Sequence, residues 1–554
     1  MVSFFPSLGM AAAPGYVILE YRPGLSSRGQ AMKTFLILGG IVLAAFGGLA
    51  AAQPPAGVFE SATPITSQNP IDELVFTRFG ELGIQPAHLC SDAVFVRRVY
   101  LDVTGTLPTG AEAEQFLLNH DSSKRSALID KLLAREEFAD YWAMKWSDLL
   151  RIKAEFPINL WPNAAQAYHR WIRTSIKENL PYDRFVRELL TASGSNFRVP
   201  PVNFYRALQN KEPAGIAQAV ALTFMGTRAE KWSADQWNGM AGFFSEIGYK
   251  HTAEWKEEIV MFDLTKTTNA LAQAAVFPDG TPGRLSPDRD PREVFADWLI
   301  EPNNPWFTLN IANRVWSWLL GRGVIEPPDD IRPDNPPSDP KLLALLENEL
   351  IASHYDLKHL FRLILNSKTY QLSSVPGTDG PEAAAHFAFH PLRRLEAEVL
   401  IDALDQITGS AENYSSAIPE PFTFIPGEMR SIALPDGSIS SSFLEMFGRP
   451  PRDTGLEDER NNRPTADQRL HLLNSSHIQL KIEQSRMIPL LVQSNKTAPQ
   501  IATALYLEIL SRFPTAEEMK TAQTYFQSGN VNRRQATVDL AWALMNSAEF
   551  LYRH

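Results

Sequence analysis

Apolar residues recur at helical spacing along nearly the whole chain. Between residues 136 and 152, for example, Phe138, Trp142 and Trp146 fall on one face of a predicted helix. The same spacing predicts further helices near residues 162–179, 182–192, 213–225, 233–245, 290–300, 305–320, 339–353, 357–369, 391–408, 466–473, 498–511, 515–527 and 534–550. Helix is therefore the dominant predicted structure.

Local signals mark two helix starts and one strand. Asn69 before Pro70 predicts an N-cap with proline in the first turn, and Thr109 with Glu112 predicts a capping box. Alternating patterns are rare, and only EEIVMFD, residues 257–263, is typical of an isolated strand. The predicted fold class is mainly α: multi-helical, with two helical domains packed together and long irregular loops.

Two breaks interrupt the helical pattern. Residues 265–289 end in prolines, glycines and charges and predict a linker between a first helical domain at 66–264 and a second at 290–554. Residues 410–464 are rich in Pro, Gly, Ser and charge and predict a long loop inside the second domain. A loop of this length in a helical domain is usually functional or mobile.

The long loop contains one apolar segment, FLEMFGRPPR, at residues 443–452. We expect Phe443, Leu444 and Phe447 to dock on the helical body, because a wholly disordered segment lacks such anchors. Residues 453–463 are expected to remain mobile above them. If the loop covers the domain junction, three of its arginines are candidate anion-binding groups for a substrate or partner: Arg449, Arg452 and Arg460.

The N-terminal segment has a secretory signal pattern. Met32 and Lys33 precede the apolar run TFLILGGIVLAAFGGLAAA, and residues 32–52 are predicted to be a signal peptide cleaved after Ala52. Residues 1–31 are expected to be an upstream extension. The protein is thus predicted to be secreted or periplasmic, with no stable membrane span after cleavage. The alternative is an N-terminal membrane anchor, because a run of about 19 residues can just cross a bilayer.

Composition narrows the possible functions. The net charge of −11 and the lack of a Lys/Arg run argue against nucleic acid as a partner. Cys90 is the only cysteine, so the chain forms no intrachain disulfide. A single cysteine also excludes a Cys-rich zinc site, an iron–sulfur cluster and a haem attached through two thioethers.

Several motifs that mix charged residues with aromatic ones carry a family resemblance. In the first half they are Arg97-Arg98, Leu101-Asp102, Gly105, the Trp146/Asp148/Arg151 helix, and NLPYDRFVRELL from Asn179. In the second half they are Asn303-Asn304-Pro305, Asn313-Arg314-Val315-Trp316, Gly321-Arg322-Gly323, Pro328-Asp329-Asp330, Asn335-Pro336-Pro337-Ser338, DLKHLFRLILNSKTYQLSS from Asp356, RRLEAEVLIDAL from Arg393 and NSAEFLYRH from Asn546. The first set resembles the planctomycete cytochrome-associated domain (domain of unknown function 1549), and the second resembles the planctomycete-specific domain (domain of unknown function 1553) that follows it. Together the resemblances cover roughly residues 66–554.

The resemblance also implies a function. Many relatives carry a Cys-x-x-Cys-His haem-attachment-like motif where this chain reads FMGTRAEKWSADQWNGMAGFF, residues 224–244, so the chain resembles a branch without haem and needs no cofactor. An exported accessory or binding protein is implied, acting with a sulfatase-like partner (the domain of unknown function 1501 family) in extracellular polysaccharide metabolism. The alternative is a carbohydrate-active hydrolase that uses Asp or Glu at the domain junction. Whether the protein is an enzyme stays open.

One polar cluster is the candidate for a site at this junction. Asn310, Asn313 and Arg314 lie on one predicted helix among tryptophans, and a buried arginine needs a carboxylate or carbonyl partner. The candidate partners are three acids: Asp102, Asp148 and Asp297. The pattern fits either a polar network between helices or a substrate cleft between domains.

Two further sets of residues could hold a metal ion. Asp329, Asp330 and Asp334, with Asn335, crowd a proline-rich loop and offer oxygen ligands for calcium, although Asx turns that cap neighbouring helices would use the same residues. Three histidine pairs are weak zinc candidates: His354/His359, His386/His390 and His471/His477. Spacings of five and six suit no common helical face, and Pro391 puts His390 at a predicted helix start with His386 outside it. Structural or surface roles are favoured for all three pairs.

Overall fold

The helices begin where the sequence supplies caps. Asn69 accepts the N–H of Asp72 with Pro70 in the first turn, and Thr109 and Glu112 form a reciprocal capping box. Both predicted helix starts are confirmed. The computed structural model describes residues 58–66, 69–228, 232–266, 274–529 and 531–554.

Helices dominate both halves of the described chain, so the predicted mainly α fold class is confirmed. The first half contains α1 (Pro70–Leu82), α2 (Asp92–Val103), α3 (Gly110–Leu118), α4 (Lys124–Leu133), α5 (Glu136–Leu149), α6 (Pro162–Lys177), α7 (Tyr182–Thr191), α8 (Asn203–Arg206), α9 (Pro213–Met225) and α10 (Ala234–Ala241). The second half contains α11 (Pro291–Leu299), α12 (Phe307–Leu320), α13 (Pro340–Ala352), α14 (Leu357–Leu365), α15 (Pro381–Ala385), α16 (Ala397–Thr408), α17 (Ser442–Met446), α18 (Ala466–Asn474), α19 (Ser476–Glu483), α20 (Met487–Gln493), α21 (Ala498–Leu510), α22 (Ala516–Gln527), α23 (Arg533–Met545) and α24 (Ala548–Leu551).

The strands of the described chain are short. The segment predicted as a strand at 257–263 is β3 (Glu258–Phe262), which pairs antiparallel with β1 (Gly194–Ser195) on one side and β2 (Ile247–His251) on the other. A second pair joins β4 (Arg393–Arg394) to β5 (Tyr552–Arg553). Because the backbone after Pro391 is extended to form β4, α16 begins at Ala397 and not near residue 391 as predicted.

A continuous aromatic core connects the two predicted domains. The Trp142 ring centroid lies 5.1 Å from that of Trp318 and 4.6 Å from that of Phe361, and Trp146 lies 6.0 Å from Trp318. The first residue of each pair is on α5, whereas its partners are on α12 and α14. The described residues form one compact unit around this core, and a division at 265–289 stays a prediction.

Several predicted segments lie outside the described residues. They are the upstream extension 1–31, the signal peptide 32–52, and residues 267–273 of the predicted linker. The later part of that linker packs on the body, because Phe277 stacks on Phe243 with ring centroids 4.5 Å apart. Within the described ranges, no helix is both long and apolar enough to cross a membrane.

The apolar segment of the long loop docks as predicted. Phe443, Leu444 and Phe447 are buried, and the two phenylalanine rings stack with centroids 4.1 Å apart. Phe443 and Leu444 lie on the one-turn helix α17, which Ser441 caps by accepting the N–H of Leu444. The loop 410–464 is therefore anchored at its centre.

Candidate functional site

Arg314 lies inside the core at the middle of α12. Its side chain is 1% exposed, and Nη2 lies 2.7 Å from a carboxylate oxygen of Asp329, which is equally buried. Glu457 approaches Nη1 at 3.4 Å. The prediction that Arg314 is buried with a carboxylate partner is confirmed.

The three acids proposed as partners of Arg314 were the wrong ones. Each of them pairs with other arginines: Asp102 with Arg553 and Arg393, Asp148 with Arg452 and Arg460, and Asp297 with Arg187 and Arg289. The true partner, Asp329, is only fifteen residues after Arg314. The proline-rich loop that follows α12 folds back across the helix and delivers this carboxylate.

The neighbouring amides hold this loop and α9 in place. Asn313 donates to the carbonyl of Ile325 and accepts its N–H, both at 2.9 Å, while Asn310 donates to the carbonyl of Thr223 at 3.2 Å. A pair of bonds to one residue fixes both position and orientation of the loop. These contacts favour the polar network over the substrate cleft.

The end of the long loop completes a buried ionic cluster, which we call the junction cluster. Its members are Lys145, Asp148, Glu396, Glu398, Glu457 and Arg460. Arg460 lies 2.6 Å from Glu398 through Nη1 and 2.6 Å from Asp148 through Nη2. Lys145 forms an ion pair with Glu396. The cluster therefore joins α5 of the first half to α16 and the long loop of the second.

Part of the segment 453–463, predicted to remain mobile, is docked in the structure. Arg460 is only 8% exposed, Trp318 donates its indole N–H to Glu457 at 2.8 Å, and the backbone N–H of Glu457 donates to Asp329 at 2.7 Å. The composition suggested solvation because most of these residues are charged. Buried charges are nevertheless tolerated where each finds a partner, as here.

The three arginines expected to bind external anions are occupied within the protein. Arg452 is fully buried against Asp148, at 2.9 Å, and Arg449 lies 3.5 Å from Glu398. Arg460 binds both of these acids. They stabilise the docked loop and do not form an exposed anion-binding surface.

Electrostatics keep most of the junction cluster charged. Burial alone would raise the pKa of Glu396, but the neighbouring Lys145 and Arg553 outweigh it and hold that pKa well below its usual range. Burial likewise opposes the charge on Arg460, and its two acid partners raise its pKa well above the ordinary value. Glu457 differs, because burial raises its pKa despite the opposing charge of Arg314.

A small pocket opens beside this cluster. Its volume is only about 10 Å³, room for about one water molecule, and it is lined by Lys145, Asp148, Leu149, Pro450, Leu456, Glu457 and Arg460. Ligand pockets usually span roughly 300–1,000 Å³ and carry apolar or aromatic walls. Two acids line this one, but no aromatic ring does, so nothing in its wall can stack on a sugar.

The candidate metal ligands are also engaged by other groups. Arg332 pairs with Asp330 at 3.0 Å and with Asp334 at 2.6 Å, and Asp329 is held by Arg314. Within the described part of the chain, no group of three or more His, Cys, Asp or Glu side chains is placed to hold a metal ion.

Two of the three histidine pairs are arranged differently from what the sequence predicted. The spacing of His471 and His477 suits no common helical face, yet the two side chains meet because the turn at Ser475 brings α18 and α19 together. Their ring nitrogens are 3.2 Å apart. His477 also contacts Glu412 at 2.9 Å. His390 lies in a buried extended segment before β4 and not at a helix start.

We expect acid to destabilise the protein through His169. Burial on α6, with Arg452 and Arg173 nearby, lowers its pKa from 6.5 to about 3. The folded state thus favours neutral imidazole, and this contribution is full above pH 6.5 and falls by up to about 1.4 kcal/mol per pH unit down to pH 3. Urea unfolding from pH 7.5 to 4.5 should show the stability gap between wild type and His169→Gln narrowing as the pH falls. A gap independent of pH would contradict this.

An exposed aromatic patch is the feature that the sequence did not predict. Trp161 lies edge-on to Trp255, with 6.4 Å between ring centroids, and to Phe422 at 5.2 Å. Lys256 places its ammonium 5.1 Å from the first indole and 5.3 Å from the second. Trp255 is 70% exposed and Phe422 45%. Phe156 and Phe424, at 80% and 66%, extend the same loops into solvent.

Both halves of the chain build this aromatic patch. Glu155 accepts the backbone N–H of Ala417 at 3.1 Å, which holds the loop before α6 beside the first part of the long loop. Trp161 and Lys256 have positive φ angles of 72° and 60°, a backbone conformation that bulky residues rarely adopt. Such strain persists only where the surrounding structure enforces it. The patch is therefore a fixed surface feature.

The family comparisons agree with the motifs in the sequence. Residues 70–249 match the family model described as PSCyt2, a protein of unknown function (DUF1549), and residues 291–526 match PSD1, a protein of unknown function (DUF1553). The chain belongs to the proteins that carry these two domains in this order, as predicted. No curated protein and no solved structure matches it. The segment 224–244, which the sequence predicts to lack the haem-attachment motif, includes residues 229–231, and these lie outside the described residues.

Proposed function

We propose that the protein is an exported accessory protein that binds polysaccharide and has no hydrolase activity of its own. The exposed aromatic patch carries this proposal. Flat aromatic rings held in solvent match the apolar faces of sugar rings, and contiguous exposed apolar surface usually marks a binding site. Trp161 lies in the first matched domain, Phe422 lies in the second, and Trp255 lies between the two matches, so the patch needs the whole folded chain.

The junction supports binding over hydrolysis. A glycosidase needs two carboxylates that flank a bound sugar, one of them free to act as nucleophile or base. Asp148 is bound by Arg452 and Arg460, and Glu457 contacts Arg314 and Trp318. Export rests on the signal pattern at 32–52, and the sulfatase-like partner rests on the family resemblance.

Removal of either indole should weaken polysaccharide binding. We expect Trp255→Ala and Trp161→Ala each to weaken binding at least about tenfold, a loss of about 1.4 kcal/mol, because each removes stacking surface. Affinity electrophoresis in gels that contain a panel of neutral and acidic polysaccharides measures the effect. Phe513→Ala, which removes a 38% exposed ring elsewhere, is the matched control and should bind normally.

Two outcomes would overturn the proposal. Retention of every gel shift by the Trp161→Ala/Trp255→Ala variant would show that the aromatic patch is not the binding surface. Sugar release by the wild type, measured as new reducing ends, would favour the hydrolase instead. The partner is tested separately, by capture of the tagged protein from the native cell envelope and mass spectrometry. Recovery without a sulfatase-like protein would remove that part of the proposal.

A further inference from the structure

A larger pocket lies at the C-terminal end of α12. Its volume is about 270 Å³, close to the lower end of the roughly 300–1,000 Å³ that small-molecule sites occupy. Its wall includes Leu320, Arg322, Glu326, Ala384, Phe387 and Phe389. Apolar and aromatic side chains thus share the pocket with one cation and one anion. None of these residues belongs to the junction cluster or the aromatic patch.

The two charged side chains in this pocket form no ion pair. Among the described residues, neither Arg322 nor Glu326 has an oppositely charged side chain within 4.0 Å, and the buried Nε of Arg322 has no hydrogen-bond partner. Glu326 uses one carboxylate oxygen to accept the N–H of Gly323 at 2.9 Å. Elsewhere in the core, arginines such as Arg314 and Arg460 are paired with acids. Two opposite charges that line one pocket without meeting suit a ligand that carries both.

The apolar wall is held in a fixed shape. Phe387 has a φ of 63° and packs edge-on against Trp316, with ring centroids 5.1 Å apart. Gly321, at φ 77°, ends α12, and a Cβ there would lie 2.6 Å from the side chain of Arg393. A bulky residue at positive φ is strained, and such strain concentrates at ligand sites. The pocket is therefore formed before any ligand arrives.

We propose that this pocket binds a small zwitterion with an apolar body, of which an α-amino acid with an apolar side chain is the simplest. The ligand carboxylate pairs with the guanidinium of Arg322, which offers several donors in a planar fork. The ligand ammonium pairs with the remaining carboxylate oxygen of Glu326. The apolar side chain of the ligand packs against Phe387, Phe389 and Leu320. This site is independent of the polysaccharide surface proposed above.

Calorimetric titration of the full folded protein with L-phenylalanine and L-leucine tests the proposal. Binding is expected, with 3-phenylpropionate and 2-phenylethylamine at least about tenfold weaker, because each lacks one of the two charges. Arg322→Gln and Glu326→Gln should each weaken L-phenylalanine binding by a similar factor. Arg284→Gln, which removes an exposed arginine outside the pocket, should not.

A further variant distinguishes loss of the binding site from loss of the fold. Ala384→Phe keeps both charges and fills the pocket, so it should abolish binding while the thermal transition stays near that of the wild type. No heat with either amino acid would overturn the proposal. Equal affinity for 3-phenylpropionate and L-phenylalanine would also overturn it, because the ammonium would then have no role. Polysaccharide gel shifts should be unchanged in all pocket variants, which separates this result from the fate of the proposed function.

Discussion

Replacing Arg314 with alanine is expected to lower the free energy of unfolding by about 3–5 kcal/mol. The substitution leaves Asp329 buried at 1% exposure without its cation, and it also removes the charge that Glu457 faces. An uncompensated buried carboxylate is far more costly than the ion pair is stabilising. Urea unfolding at pH 7.5, followed by circular dichroism, measures the loss.

Two matched variants show which part of the interaction matters. Arg289→Ala breaks ion pairs in which Arg289 and Asp297 are each more than 40% exposed, so it should cost at most about 1 kcal/mol. The double variant Arg314→Met/Asp329→Leu removes both buried charges and should recover much of the stability lost by Arg314→Ala. A loss below about 1 kcal/mol for Arg314→Ala would show that Asp329 is readily hydrated or protonated, against the burial found here.

Local sequence signals were enough to predict most of the helices and the fold class. Caps such as Asn69 and Thr109 act through their own backbone neighbours, so the sequence alone identifies them. The strand at 258–262 was also identified from its own pattern. The start of α16 was misplaced because the residues after Pro391 pair with Tyr552 and Arg553, more than 150 residues away. Pairing between such distant segments gives no signal in the local sequence.

The same difference between local signals and distant contacts explains which parts of the candidate site the sequence predicted. Burial of Arg314 followed from its helical neighbours, whereas its partner depended on how a proline-rich loop folds back. The aromatic patch combines Trp161, Trp255 and Phe422 from three separate loops. One signal could have suggested it: aromatics in the proline-containing loop segments FPINLW and PFTF, at 156–161 and 421–424, belong to no helical stripe. Their assembly into one surface needed the structure.

Loss of Arg460 is expected to release the end of the long loop and to cost about 3–5 kcal/mol. This side chain joins Glu398 on α16 to Asp148 on α5, and both acids are almost fully buried. In Arg460→Ala, Asp148 keeps Arg452 and Glu398 keeps only the more distant Arg449, so the acids repel the loop's remaining carboxylates. Residues 453–463 should then become accessible to protease.

A glutamate-specific protease gives the sharpest test, because Glu457 and Glu459 lie in the segment and the substitution removes no cleavage site. The wild type should resist cutting between residues 453 and 463, since Glu457 is held by Trp318 and Arg314. Arg460→Ala should be cut there, and its thermal transition should fall. Arg463→Ala, which removes an exposed arginine of the same loop, is the matched control and should behave as wild type. Rapid cleavage of the wild type in this segment would show that the docked loop opens readily in solution. Phe422 of the aromatic patch lies in the first part of the same loop, away from Arg460. If Arg460→Ala releases only the end of the loop, this variant should therefore still bind polysaccharide.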